Sequence, residues 1–232
     1  MDEKKAKYRH EFKYPVSDGE IALLTSRMKY LLRPDPHVGD SGIYNISSLY
    51  FDDYYNTCYY DNLTGTDPRE KFRIRIYNHQ TDRISLECKR KERGKTLKTS
   101  CILTREQAEI LVHGGVIGDI ASQPQLIKKF TMQQLTHHLR PRMIVEYERI
   151  PYVCSEGNVR ITIDKNLCSS LETGNFLTGA CTKRPVMPVG MHLLEVKYDE
   201  FLPDEIYRAL QLDSLTQTAY SKYFLCMNYA VR

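Results

Sequence analysis

The sequence predicts an α+β fold: an antiparallel sheet curled into a β-barrel of about eight strands, with helices packed on its outside. Three observations carry this. Six runs alternate charged and apolar residues with period two, which gives each strand one ionic and one apolar face. Amphipathic helical stretches lie between and after these runs and need an apolar wall to pack on. The length, 232 residues, suits a single domain over 1–232.

In the first run Arg9, Glu11 and Lys13 alternate with Phe12 and Tyr14. Ser17-Asp-Gly-Glu20 then forms a capping box ahead of Ile21, Leu24, Met28 and Leu31 at helical spacing. Lys71, Arg73 and Arg75 oppose Phe72, Ile74 and Ile76; Ser85, Glu87 and Lys89 oppose Ile84, Leu86 and Cys88. The run Lys89-Arg-Lys-Glu-Arg-Gly-Lys95 reads as a strand end and a basic turn at a barrel mouth, where its charge would steer polyanions. Thr104-Arg-Glu-Gln107 is a second capping box, before Ile110 and Leu111, with Gly114-Gly115 as the stop. A third helix is predicted from Ser122 to about Leu139, with Pro124 in its first turn. Glu146 and Glu148 share one face of the run from Met143. Arg160, Thr162 and Asp164 oppose Val159, Ile161 and Ile163, while Glu195 and Lys197 oppose Leu194, Val196 and Tyr198. A short helix near Asp204–Leu212 and a last one from Ser214 to about Tyr229 end the chain.

On any one strand such a polar face would simply meet water. The set argues otherwise. The faces are rich in Arg, Lys and Glu, and if the helices cover the apolar wall the ionic wall must look inward. Each ion taken out of water costs several kcal/mol unless it is paired or liganded. The lining therefore stays wet or binds something of opposite charge. Its Arg and Lys excess points to a polyanion, and the interspersed Glu to a divalent cation beside it. The same spacing lets Glu11, Glu87 and Glu195 pair with Lys13, Lys89 and Lys197, two residues on along each face.

Composition removes other classes. Apolar residues at 41% and charged residues at 27% exclude a disordered chain, and the net charge of +4 is too mild to indicate a partner. No apolar run approaches the roughly 18 residues of a spanning helix, so no membrane insertion is expected. The start lacks the apolar core of a secretory signal. Seven cysteines without a CxxC pair argue against a zinc ribbon or disulfide framework, and reduced thiols suit a cytoplasmic location. Gly94-Lys95-Thr96 is not a P-loop end, because Lys89 stands where the motif needs Gly. His137 and His138 are adjacent and poor joint ligands, and no G-x-S-x-G is present.

The runs Glu11-Phe-Lys13-Tyr14, Ser47-Ser-Leu-Tyr-Phe51-Asp52, Lys71-Phe-Arg73-Ile-Arg75-Ile-Tyr77, Glu87-Cys-Lys89, Tyr147-Glu-Arg149, Arg160-Ile-Thr-Ile-Asp164, Leu194-Glu195-Val-Lys197-Tyr198 and Ser221-Lys222-Tyr223 come in one order. Together they resemble the VTC domain, the polyphosphate polymerase domain of the vacuolar transporter chaperone type. That family belongs to the triphosphate tunnel metalloenzymes, alongside the CYTH triphosphatases and adenylate cyclases. The resemblance implies an eight-stranded antiparallel barrel forming a tunnel, with a C-terminal helix capping one mouth. It implies ATP and inorganic polyphosphate as ligands, Mn2+ or Mg2+ as cofactor, and no nucleic-acid partner. The basic lining would be Lys13, Arg73, Arg75, Lys89, Arg160 and Lys197, with Lys98 beside them and Lys222 supplied by the C-terminal helix. Glu195 would hold the metal, with Glu11 and Glu87 as helpers, and Lys222, Glu195 and Arg75 would be catalytic.

One departure is informative. The E-x-E-x-K signature of the CYTH hydrolases reads R-x-E-x-K here, with Arg9 in the first place. A carboxylate exchanged for a cation favours a longer anion and a polymerase. A triphosphatase using the same tunnel, or a non-catalytic polyphosphate- or RNA-binding module, are the alternatives. The eukaryotic members carry an SPX domain ahead and membrane helices behind. This sequence has neither, so regulation and translocation are expected to need another protein, such as a separate membrane partner.

Overall fold

The computed structural model describes residues 7–36, 38–39, 41–211 and 215–230. In chain order these form β1 (His10–Ser17), α1 (Asp18–Met28), β2 (Arg33–Pro34), β3 (Tyr44–Asp52), α2 (Thr57–Thr64), β4 (Arg69–Tyr77), β5 (Gln80–Glu92) and β6 (Lys95–Leu103). There follow α3 (Arg105–Val112), α4 (Gln125–His137), β7 (Arg140–Cys154), β8 (Val159–Ser170), β9 (Arg184–Pro185), β10 (Met191–Tyr198), α5 (Asp204–Leu210) and α6 (Lys222–Ala230).

Eight strands make one antiparallel sheet in the order β1-β10-β8-β7-β3-β4-β5-β6, with two-residue β2 on β7 and β9 on β8. The sheet curls until its two outer strands touch. Arg9 and Thr96 exchange backbone hydrogen bonds of 2.9 Å in each direction, an isolated antiparallel bridge. The half-barrel thus keeps most of its outer-strand edges unpaired with one another, and its interior stays accessible.

Alternation decides what each wall holds. The outer faces of β1, β8 and β10 pack Tyr14, Val16, Ile161, Ile163, Leu194 and Val196 against Ile21, Leu24 and Met28 of α1 and Ile206 and Leu210 of α5. The outer faces of β4 and β5 pack Phe72, Ile74, Ile76, Ile84, Leu86 and Cys88 against Ala108, Leu111 and Val112 of α3 and Ile127 and Phe130 of α4. Both capping boxes form: Ser17 with Glu20 starts α1, and Thr104 with Gln107 starts α3. The basic run ends β5 and turns at Arg93 and Gly94, both at positive φ (49° and 75°), so that Glu92 faces Lys95. This is the tight two-residue hairpin that left-handed residues favour.

The inner wall is not uniformly ionic. At one end, α6 inserts Tyr223, Phe224, Cys226 and Met227 against Ile46, Met143, Val145 and Leu193. This apolar plug corrects the expected arrangement of β7. Tyr147 and Arg149 face inward, while Glu146 lies outside, its Oε1 at 2.5 Å from Lys183 Nζ. A bulge between Glu146 and Glu148 against β8 accompanies this change.

Three helical expectations are corrected. The last helix starts at Lys222, not at Ser214, which lies outside the described residues. Ahead of it the chain runs along β1, where Thr218 N–H donates to the Lys13 carbonyl (2.8 Å), and the Ser221 hydroxyl accepts from Phe224 N–H (3.1 Å). Such a bond satisfies a donor of the first turn and fixes where the helix begins. Pro124 stands just ahead of α4 as its N-cap rather than within its first turn. Helix α2 was not expected. Its sequence, Thr-Cys-Tyr-Tyr-Asp-Asn-Leu-Thr, has no apolar period, and it is held by burying Tyr59 and Asn62 toward α6.

Candidate functional site

Strand register brings the inward charges together. Lys13 faces Glu195 across β1 and β10, Glu11 faces Lys197, Arg73 faces Glu87 across β4 and β5, and Arg149 faces Asp164 across β7 and β8. Each carboxylate is held by several cations. Glu195 meets Lys222 through Oε1 (2.6 Å) and Lys197 (2.7 Å) and Arg149 (3.4 Å) through Oε2. Asp164 takes the Arg149 guanidinium side-on at 2.6 and 2.7 Å and Lys222 at 2.5 Å. Glu11 Oε1 holds Lys89 (2.6 Å) and Lys13 (2.9 Å). Glu87 holds Arg73 (2.7 Å) and Lys98 (2.9 Å), with Arg75 at 3.7 Å.

The pairing expected two residues along each strand thus forms for Glu11 and Glu195. It does not form for Glu87, because Lys89 reaches across to Glu11 instead. Burial alone would raise the Glu195 carboxyl, but Lys197, Lys222, Arg149 and Lys13 together hold it well below the usual range. Glu11 and Glu87 are likewise buried and likewise held well below it by their cations.

The cations outnumber these partners. One central cavity is lined among the described residues by eight lysines and arginines and by one carboxylate, Glu195. The lysines are Lys13, Lys71, Lys89, Lys197 and Lys222, and the arginines are Arg73, Arg75 and Arg149. Tyr50 and Tyr147 complete the wall by receiving guanidinium hydrogen bonds, Arg73 to Tyr50 at 2.7 Å and Arg75 to Tyr147 at 3.3 Å. Two further cavities share its walls. One continues past Lys71 to Asn62, Arg69 and Lys91; the other, wider, continues past Arg73, Arg75 and Arg149 to Lys98, Arg160 and Tyr44.

Lys71 has the most exacting position. It is 8% exposed and donates to two neutral atoms, Asn62 Oδ1 (3.0 Å) and Ser221 Oγ (2.9 Å). Burial pushes its ammonium down to about 7, outweighing the pull of Cys58 and Asp52. Lys89 is also pushed by burial to about 7, against the pull of Glu11. With the folded pKa lowered, Lys71 is charged below about pH 7 and neutral above it, and an anion placed beside it restores the proton. Affinity for tripolyphosphate is therefore expected to fall as pH rises above 7, approaching about tenfold per pH unit for one proton taken up. Calorimetric titrations of wild type and Lys71→Met measure this, since their difference cancels the titration of the ligand. Parallel profiles for the two proteins would refute the assignment.

The sequence-predicted residues divide by place. Lys13, Arg73, Arg75, Lys89, Lys197, Lys222 and Glu195 line the central cavity, and Glu11 adjoins it. Lys98 and Arg160 stand in the wider cavity; Arg160 is held by Asp35 (2.7 Å) and the Tyr44 hydroxyl (3.1 Å). Glu87 lies behind the guanidinium groups it binds. Arg9 is at the rim, on Asp199 (2.8 Å) and the Asn158 carbonyl. Sequence reasoning did not assign roles to Lys71, Arg149, Asp164, Tyr50, Tyr147 or Ser221. Strand alternation had already set Lys71 and Asp164 on the ionic faces of their strands, beside Arg73, Arg75 and Arg160.

For a divalent cation the donors are of the right kind. Glu195 offers hard carboxylate oxygen inside the cavity, and Glu11 stands one strand away. Among the described residues no three Asp, Glu, His or Cys side chains form a ready metal cage. Both Glu195 oxygens are held by Lys222 and Lys197 and Glu11 Oε1 by Lys89 and Lys13, so a divalent cation would share these carboxylates with the lysines.

A sheet curled round a cation-lined interior, apolar outside under helices and plugged within by the last one, is the triphosphate tunnel class of fold. The VTC domain profile matches residues 8–231, and the chain belongs to the VTC domain family. Solved structures agree on the fold. HpAC1 from Hippeastrum, described as having a dominant triphosphatase activity, superposes with a TM-score of 0.53 at 11% identity, over 96% of this chain and 95% of its own. The bh2851 protein of Bacillus halodurans, a candidate adenylate cyclase, gives 0.51 at 14% identity, over 93% and 94%. PH1012 from Pyrococcus horikoshii OT3 gives 0.51 at 12% identity, over 94% and 99%. No match is found among curated proteins. Among the described residues no helix is long and apolar enough to cross a membrane.

Proposed function

We propose that this chain is a metal-dependent phosphotransferase that moves the γ-phosphoryl group of ATP onto a growing inorganic polyphosphate chain. The observation that carries the reading is the central cavity, in which eight cations surround a single carboxylate. Phosphoryl transfer asks little covalent work of a protein; it needs in-line placement and neutralisation of charge. Arg73, Arg75, Lys89 and Arg149 would bind the phosphates, the three guanidinium planes fixed by Glu87, Asp164 and two tyrosine hydroxyls and the Lys89 ammonium held by Glu11. Lys222, fixed between Asp164 and Glu195, would face the transferring group. No general base is required, because the attacking terminal phosphate is already an anion. Mg2+ or Mn2+ held by Glu195, with Glu11 as second donor, would supply further charge neutralisation at the phosphates.

The cavities on both sides of the central one support a polymerase. An in-line reaction needs a donor on one side and an acceptor on the other, and the cationic walls continue in both directions, past Lys71 and past Arg75. A triphosphatase is the second reading, favoured by the activity described for HpAC1. Incubation with ATP and Mn2+ is expected to yield long polyphosphate on a gel. Orthophosphate released from tripolyphosphate without chain growth would establish the second reading, and salt-sensitive binding without turnover would leave a binding module.

A further inference from the structure

At the wide side of the central cavity the lining changes character. Beyond Arg75 two half-buried tyrosines, Tyr44 on β3 and Tyr77 at the end of β4, join the ionic wall. Their rings lie with centroids 5.7 Å apart and planes at 62°. Both belong to the wall of the wider cationic cavity and also to that of a groove that opens beside it. In that groove the hydroxyls of Ser85 and Ser100 stand among Glu87 and Lys98 of the same strands, with Arg83 and Arg160 also in its wall.

Tyr77 stands two residues from Arg75, about 7 Å along the strand. Tyr44 lies directly opposite Arg149 in the β3–β7 register, and its hydroxyl accepts from Arg160 (3.1 Å). Burial would raise the Tyr77 phenol, but Arg75 and Lys98 draw it below its ordinary value, so its polar end too is turned toward the cations. The pair, packed in part on the α6 cluster, therefore offers ring surface one residue-pair beyond the guanidinium groups, with the Tyr44 hydroxyl anchored to Arg160.

We propose that Tyr44 and Tyr77 form the platform for the nucleobase of the phosphoryl donor. The proposal rests on the ATP-using reading above and gives it a direction. The donor's triphosphate points inward toward Lys222 and Glu195, and its base rests on the tyrosines at the groove. A phosphate chain has no aromatic part to place there, so the platform distinguishes ATP from inorganic tripolyphosphate by stacking alone. The acceptor then approaches from the opposite side, past Lys71.

Calorimetric titration of ATP and of inorganic tripolyphosphate into wild type, the Tyr44→Ala/Tyr77→Ala double variant and the Tyr44→Phe/Tyr77→Phe double variant tests this. The alanine variant is expected to bind ATP about tenfold or more weakly while binding tripolyphosphate as wild type does. The phenylalanine variant keeps the rings and should retain ATP affinity. ATP affinity unchanged in the alanine variant would overturn the platform and leave the phosphate site standing. Loss of ATP affinity in the phenylalanine variant as large as in the alanine one would also overturn it, since the hydroxyl contacts to Arg160 would then be what matters. A wild-type protein that binds neither ligand would remove the functional reading and the platform with it.

Discussion

Replacing Asp164 by Ala is expected to destabilise the protein by about 3–5 kcal/mol, as breaking a buried ion pair from one side generally does. Asp164 is fully buried, and Arg149 is 6% exposed beside it. In the variant, Arg149 would keep only Glu195, at 3.4 Å, and Lys222 would likewise fall back on that one carboxylate. Two buried cations would share a partner already holding Lys197. Urea unfolding at neutral pH measures the difference. The pH dependence supplies a second check. Burial would raise the Asp164 carboxyl, but Arg149 and Lys222 hold it below its ordinary value. A carboxyl depressed in the folded state contributes stability above its unfolded pKa and loses it as pH falls through the folded one. The wild-type and Asp164→Ala curves should therefore approach each other on acidification. A loss below about 0.5 kcal/mol, the size of an ordinary surface change, would mean that these charges are solvated and the interior is open at this depth.

The fold was legible wherever one rule governed both faces of a strand. In β1, β4, β5, β8 and β10 the outer residues meet helices and the inner ones meet charge, so period-two alternation read true and the inward placing of Glu11, Arg75, Lys89 and Glu195 followed. It failed in β7, whose inner face is divided. Met143 and Val145 pack on α6 while Arg149 joins the ionic network, and outside, Glu146 finds Lys183. Neither face of that strand is purely apolar or purely ionic, and a bulge interrupts the register between Glu146 and Glu148. No pattern within the strand shows this, because the division is made by a helix some eighty residues further on.

The site was legible in its residue types and less so in its partners. Which carboxylate answers which cation depends on how strands tilt across the curled sheet. Glu11 and Lys89 sit on β1 and β5, which are not hydrogen-bonded neighbours, yet their side chains meet at 2.6 Å. Asn62 and Ser221 reach Lys71 from a helix and a loop that no strand pattern locates. The outcome changes the chemistry. A lysine held by two neutral oxygens, rather than by a carboxylate, keeps its full demand for an anion and yields its proton near neutral pH. Of the eight cations that line the central cavity, seven stand within 4 Å of a carboxylate, and Lys71 is held by neutral oxygens instead.

Replacing Lys222 by Met is expected to lower kcat for ATP-dependent chain growth by about 10²–10³-fold, the usual loss when one preorganised donor to a charged transition state is removed. The ammonium lies 2.5 Å from Asp164 and 2.6 Å from Glu195, over the Tyr147 ring at 4.8 Å, and those carboxylates raise its pKa against its burial. It is therefore a fixed, permanently charged group at the cavity wall. The substitution leaves Asp164 with Arg149 and Glu195 with Lys197, so the carboxylates remain answered and the packing of the helix beyond is kept by Tyr223, Cys226 and Met227. This separates it from Asp164→Ala, where the fold itself is at stake. A donor that acts on the transferring group lowers kcat, whereas one that only gathers the substrate raises KM with kcat unchanged. Initial rates of polyphosphate formation over a range of ATP concentrations distinguish these outcomes. A kcat equal to wild type would make Lys222 a counter-ion of Asp164 and Glu195 and nothing more, and would move the reacting phosphorus toward the arginines of β4.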